Sequence, residues 1–127
     1  MTYTKVYDGR DGGACKPLVW IGSSLADLRR LPVVVRAAIG FELYALQRGR
    51  DPSDWKPMPS IGLGVREVRV HVCGEHRVMY LARLNDAVFV LHVFQKKTRR
   101  TAEHDLRMGR ARCREAIQWH LRRRGTA

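Results

Sequence analysis

Apolar and polar positions change rhythm several times along the chain, and each rhythm predicts an element. Leu18–Gly22, "LVWIG", is a short unbroken apolar run and reads as a strand. Ser23 or Ser24 follows and can cap a helix, with Asp27 in the first turn. Pro32 suits the first turn of a second helix. There Val35, Ala38, Ile39, Leu43 and Leu46 recur at three- and four-residue steps as one apolar stripe, and Gly49 is placed to end it. Residues 50–64, "RDPSDWKPMPSIGLG", are broken by prolines and glycines and read as a loop. Strict alternation follows in "VREVRVHV", with Val68, Val70 and Val72 on one face and Glu67, Arg69 and His71 on the other.

"HRVMYLARL" and "AVFVLHVFQ" are two more strands. Cys73-Gly74-Glu75 turns the first strand of this group into the second, and Asn85-Asp86 joins the second to the third. The three should form an antiparallel meander. A helical rhythm returns from Thr101 to about Arg123. Ala102, Leu106, Cys113, Ile117 and Leu121 make its narrow core stripe, and arginines cover the rest. The order is strand, two helices, three strands, helix, which is an α+β sandwich around one sheet. Residues 1–17 are polar and Gly-rich and read as a flexible N-terminal arm, leaving residues 18–127 as one domain.

Composition adds one strong constraint. A hydrophobic share of 45% argues against bulk disorder. The 24 Lys plus Arg face only 12 Asp plus Glu, a net charge of +12, and most of the basic residues fall after Gly64. A field of this sign attracts polyanions, and arginine, whose flat fork suits phosphate, outnumbers lysine. Cys15, Cys73 and Cys113 are far apart and show no zinc spacing, as for idle thiols in a reducing compartment. Neither a signal peptide nor a membrane span is visible, so the expectation is a cytoplasmic protein with no membrane partner.

The acidic residues form no cluster suited to Mg²⁺, and P-loop, dinucleotide-binding and nucleophile-elbow motifs are missing. No metal and no cofactor is therefore expected. Catalysis would have to rest on cations, histidines and tyrosines. Metal-free RNA cleavage fits that inventory, because the RNA's own 2′-OH can attack the neighbouring phosphate. Arg and Lys can stabilise the growing phosphoryl charge, and His, Tyr or Lys can move protons.

Candidates for these roles are Arg69 on its strand face, Lys56 in the preceding loop, Arg77 and Tyr80 on the next strand, and Lys96 and Lys97 at the end of the last. Each has a plainer reading. Arg69 could pair with a surface carboxylate, and Arg77, just after a turn, could be solvated. Tyr80 alternates with Val78 and Ala82 as a core residue would. His92, between Leu91 and Val93, suits a structural histidine better than a catalytic one. His104, in the first turn of the last helix, would have its pKa lowered by the helix dipole, although exposed helical histidines are usually inert. Arg66, Arg99, Arg100, Arg107 and Arg110 are candidates for RNA backbone contact, with a solvated basic surface as the alternative.

The ordered motifs W-I-G-S-S-x-x-D-L, L-P-x-x-V-R-x-x-I-G, D-W-K-P-M, G-V-x-E-x-R, R-V-x-Y and V-L-H-x-F-x-K-K-T resemble the phage-related branch of the RelE/HigB toxins, over about Leu18 to Ile117. The resemblance implies a small RelE-like sandwich and the toxin of a type II toxin–antitoxin pair. The implied activity is ribosome-dependent, metal-independent mRNA cleavage (an mRNA interferase). The implied partners are the ribosome, its mRNA and a cognate antitoxin, often a small helix-turn-helix protein. By position, Arg69 matches the family's phosphate-holding arginine, Lys97 and less closely Lys96 match the basic pair, Lys56 a loop lysine, and Arg77 and Tyr80 the R-V-x-Y positions. His76 stands where this branch usually has tyrosine, and His104 is nearest to a C-terminal catalytic position of better-known relatives. ParE-like proteins share the fold and poison DNA gyrase, so fold alone does not assign function. A gyrase poison or a nonenzymatic basic binding module is the alternative.

Overall fold

The computed structural model of the chain describes residues 6–7, 15–82 and 87–125. Nine elements follow one another: β1 (Val6–Tyr7), β2 (Leu18–Trp20), α1 (Ser24–Arg29), α2 (Val33–Gln47), β3 (Trp55–Pro57), β4 (Val65–Val70), β5 (His76–Leu81), β6 (Val88–Gln95) and α3 (Glu103–Gly125). They make an α+β sandwich with one sheet in the order β1-β2-β6-β5-β4-β3. Of the expected arm, Val6–Tyr7 pair with β2; the rest of residues 1–14, and the Asn85-Asp86 turn, lie outside the described residues.

The meander β4-β5-β6 is antiparallel, as its alternation demands. β2 joins it through β6 and runs parallel to it, so the sheet is mixed. The expected loop over residues 50–64 contains a strand. The outer side of β4 would otherwise leave backbone groups unpaired, and β3 satisfies them: Met58 N donates to Val65 O at 2.8 Å and Arg69 N to Asp54 O at 2.8 Å. Pro57 is tolerated there because β3 is an edge strand. Met58 and Ile61, also inside the expected loop, are buried core residues.

Each face of the sheet carries its own core. Val68, Val70, Val78, Tyr80, Val88, Val90 and Val93 pack against Leu25 of α1 and Val35, Ile39, Leu43 and Leu46 of α2. On the other face Val65, Met79, Leu81, Phe89, Leu91 and Phe94 pack with Ile61 and with Cys113 and Ala116 of α3. The α2 stripe is the expected one. The α3 stripe holds in its middle, where Cys113 is buried and Leu106 and Ile117 pack on the core, but not at its ends: Ala102 and Leu121 are exposed, and Gly109, Arg112, Ala116 and His120 are buried besides. Gly109 is a point of close approach, since a Cβ there would lie 2.6 Å from Met79 Sδ on β5.

The register between β5 and β6 slips after Met79. Met79 faces His92 but Tyr80 faces Val90, so Leu91 is the extra residue of a bulge. The bulge lets Leu91 and His92 both serve the α3 side. There Arg112 donates to Leu91 O at 3.1 Å and Ser23 Oγ at 2.8 Å, and its Nη1 lies 3.2 Å from His92 Nδ1. Arginine can only donate, so Nδ1 accepts and the His92 proton sits on Nε2, 2.7 Å from Asp105 Oδ1. Ser23 Oγ donates in turn to Asp27 Oδ2 at 2.8 Å. Ser23 therefore precedes α1 as its cap residue but uses its hydroxyl to tie α1 to α3 rather than to hold a backbone N–H.

Candidate RNA-cleavage site

Strand register assembles a polar row on the α3 side of the sheet. Within β4 the odd positions Val65, Glu67 and Arg69 share that face. Lys56 of β3 pairs with Glu67, and Arg69 pairs with Arg77 of β5. Cross-strand partners lie about 5 Å apart at Cβ, so these side chains are neighbours, and Lys56, Arg77 and Arg69 act electrostatically on Glu67. Where the row nears the start of α3, Lys56, Lys96, Arg99, Arg100, Thr101, Glu103 and Leu106 line a cavity of about 570 Å³. Lys96 is anchored at its rim, its Nζ donating to Arg99 O at 2.9 Å.

Glu67 lies beneath the cations and is only 1% exposed. Burial pushes its carboxyl above the usual range, while Lys56, Arg77, Arg69 and Lys96 oppose that rise. Its Oε1 is 3.7 Å from Arg77 Nε, and its Oε2 is buried without a hydrogen bond. A buried carboxylate whose pKa is raised by burial, with one oxygen unpaired, is a candidate for a proton-transfer role. Its position as a carboxylate two residues before Arg69 in "VREVRV" is visible in the sequence. Its pairing with Lys56 is not, because that depends on β3.

Arg77 is held from behind. Its Nη1 donates to His76 O at 3.0 Å and its Nη2 to Glu75 Oε1 at 3.2 Å. Glu75 meets His71 Nδ1 at 2.8 Å, and Asp54 Oδ2 meets His71 Nε2 at 2.7 Å. A neutral imidazole would turn one lone pair toward a carboxylate, so this geometry requires the imidazolium. The hydrogen bonds that His71 donates to Asp54 and Glu75 hold its pKa above 6.5 and hold both carboxyls below their usual range. The clip is therefore complete between the lowered carboxyl values and the raised His71 value, and it is lost as pH rises through the His71 pKa or falls through those of Asp54 and Glu75. A histidine titration by NMR should place His71 above 6.5, and Asp54→Asn should lower it; an unshifted value would remove the clip.

Glu67, Arg69 and Arg77 are not among the residues that line the cavity, and neither are the remaining candidates. Tyr80 is fully buried on the α1/α2 face, where burial raises its phenol. Arg66 is on that face too, its guanidinium 4.1 Å from the Trp55 ring centre and 3.4 Å from Asp51. Tyr80→Phe is expected to leave cleavage unchanged, because the hydroxyl points away from Glu67 and lacks a hydrogen bond of ordinary geometry; a hundredfold loss in single-turnover cutting would contradict the placement. His92 faces α3, but both ring nitrogens are engaged and burial lowers its pKa. Lys97, His104 and Arg107 are exposed and do not line the cavity. Arg110 is occupied by Ser60 O at 3.2 Å and Glu103 at 3.5 Å. Among the described residues no group of three His, Cys, Asp or Glu side chains is placed to hold a metal ion.

Residues 26–114 match the family described as phage derived protein Gp49-like (DUF891), a span that contains every cavity-lining residue. The chain belongs to the Gp49-like family. That family is related to the RelE/HigB-like toxins. No curated protein and no solved structure gives a significant match. The Gp49-like match covers β3, β4, β5 and β6 entire, so the polar row and the rim of the cavity fall inside the family's own span. No helix among the described residues is long and apolar enough to cross a membrane.

Proposed function

We propose that this Gp49-like protein is a toxin that cuts mRNA on the ribosome through attack of the RNA 2′-OH on the adjacent phosphate. The observation that carries the reading is Glu67, a buried carboxylate with one oxygen unused and four cations acting on it, on the sheet face next to the basic cavity that Lys56 and Lys96 line. Glu67 takes the 2′ proton as the 2′ oxygen bonds to phosphorus. Arg69 and Arg77 stabilise the charge that grows on the phosphoryl oxygens, and such fixed electrostatic stabilisation usually contributes most of the acceleration in reactions of this kind. The Lys56 ammonium, opposite Glu67 in the register, gives a proton to the departing 5′ oxygen. The products are a 2′,3′-cyclic phosphate and a 5′-hydroxyl. Proton return from Glu67 to Lys56 restores both groups. Lys96, Arg99 and Arg100 bind flanking phosphates.

Neutralisation by a cognate antitoxin and dependence on the ribosome are part of the same reading and rest on the family's toxin relationship. Induced expression tests it. Growth arrest with codon-phased mRNA cuts, both absent for Arg69→Ala, is the expected result. Double-strand DNA breaks with intact mRNA would point to gyrase poisoning and overturn the proposal.

A further inference from the structure

We propose that the outer face of α2 docks an acidic amphipathic helix of another protein. α2 is apolar on two sides. Its inner side, Val35, Ile39, Leu43 and Leu46, is committed to the sheet. Its outer side is just as apolar yet faces solvent: Val33 is 70% exposed, Phe41 68%, Val34 54% and Tyr44 47%. At 3.6 residues per turn Val33, Val34, Ala37, Gly40, Phe41 and Tyr44 fall on one stripe opposite the buried one, about 17 Å long. Scattered exposed apolar residues are ordinary, but an aligned stripe of this length marks an interaction surface.

Gly40 supplies an independent sign. A glycine inside a helix weakens it relative to alanine. Nothing within this chain requires one here, because a Cβ at Gly40 would meet no atom within 4 Å. With Ala37 it leaves a shallow saddle between Val33, Phe41 and Tyr44. A second helix can approach closely over such a saddle, whereas a bilayer would call for protruding side chains.

Charge selects the occupant. Arg29 and Arg30 are exposed before the stripe, and Arg48 and Arg50 after it. The one acidic residue of α2, Glu42, accepts a hydrogen bond from Ser53 N at 2.9 Å. A second copy would bring the same arginines against this surface, while a helix with glutamates beside its apolar stripe would be attracted. The stripe lies on the opposite side of the sheet from Glu67, so docking here leaves the cavity open and does not depend on the cleavage reading.

The test uses two labelled 18-residue helical peptides of one leucine stripe, flanked by glutamates in one and by lysines in the other. Binding to the full chain is read by fluorescence anisotropy. The glutamate peptide is expected to bind saturably and at least tenfold more tightly than its twin. Gly40→Trp and Phe41→Glu, both folded by circular dichroism, should each weaken it at least tenfold, while Lys96→Ala in the cavity leaves it unchanged. Several results would overturn the proposal: no saturable binding, full binding to folded Gly40→Trp, or loss through Lys96→Ala alone. A dimer in sedimentation that Gly40→Trp dissolves, or uptake by phosphatidylglycerol vesicles that Gly40→Trp abolishes, would assign the face to a second copy or a membrane instead.

Discussion

Glu67→Gln is expected to lower single-turnover cutting by about 10²–10⁴, the usual contribution of a positioned general base. The protein should remain folded. Glutamine has the same shape, and replacing a buried, incompletely hydrogen-bonded carboxylate with a neutral amide removes a charge that the fold holds at a cost. The pH profile should carry the same signature. Burial raises the Glu67 pKa from its ordinary 4.5, so the acidic limb of the rate should lie above that value. Because the folded pKa is the higher one, Glu67 favours the folded state fully below the unfolded value, and this contribution is lost as pH rises through the folded pKa. The glutamine variant should lack both the acidic limb of the rate and this slope in stability. A folded Glu67→Gln protein that cuts at the parent rate would show that another group takes the proton.

The second large effect is on stability. Arg112→Ala removes the donor that satisfies Leu91 O, His92 Nδ1 and Ser23 Oγ. Leu91 O and His92 Nδ1 are the two buried groups left unpaired, at roughly 1–3 kcal/mol each, so a loss of about 3 kcal/mol is the expectation. In a domain of this size that should lower the melting temperature by about 10 °C. Arg114→Ala, two residues further along the same helix on an exposed site, should change stability by less than about 0.5 kcal/mol. Equal melting temperatures for the two variants would show that the network joining α1, β6 and α3 is not structural.

The meander is legible in the sequence because alternation in "VREVRV" separates the core face from the polar one, and the inner stripe of α2 is legible for the corresponding helical reason. β3 is hidden by its prolines. Its existence depends on the open edge of β4, which is a tertiary demand and not a local propensity. The same dependence hides half of the site. Arg69, Arg77, Lys56 and Lys96 can be named one by one from the sequence, but the pairing of Lys56 with Glu67 follows only from β3. Glu67 itself escapes a search for clustered carboxylates, because what singles it out is burial beside cations, which only the fold reveals. Polar identity disguises the core of α3 as well: Arg112 and His120 occupy core positions that an apolar stripe would not include, and Leu121 is exposed. Tyr80 can be placed in the core from its alternation with Val78, against its match to a family motif position.

The most direct measurement is the chemistry of the new RNA ends. Fragments produced on the ribosome should carry a 2′,3′-cyclic phosphate or its opened 3′-phosphate on one side and a 5′-hydroxyl on the other, and a 2′-deoxy substitution at the cut position should abolish cutting. Fragments with a 3′-hydroxyl and a 5′-phosphate, or undiminished cutting of the 2′-deoxy substrate, would contradict attack by the 2′-OH and the role given to Glu67.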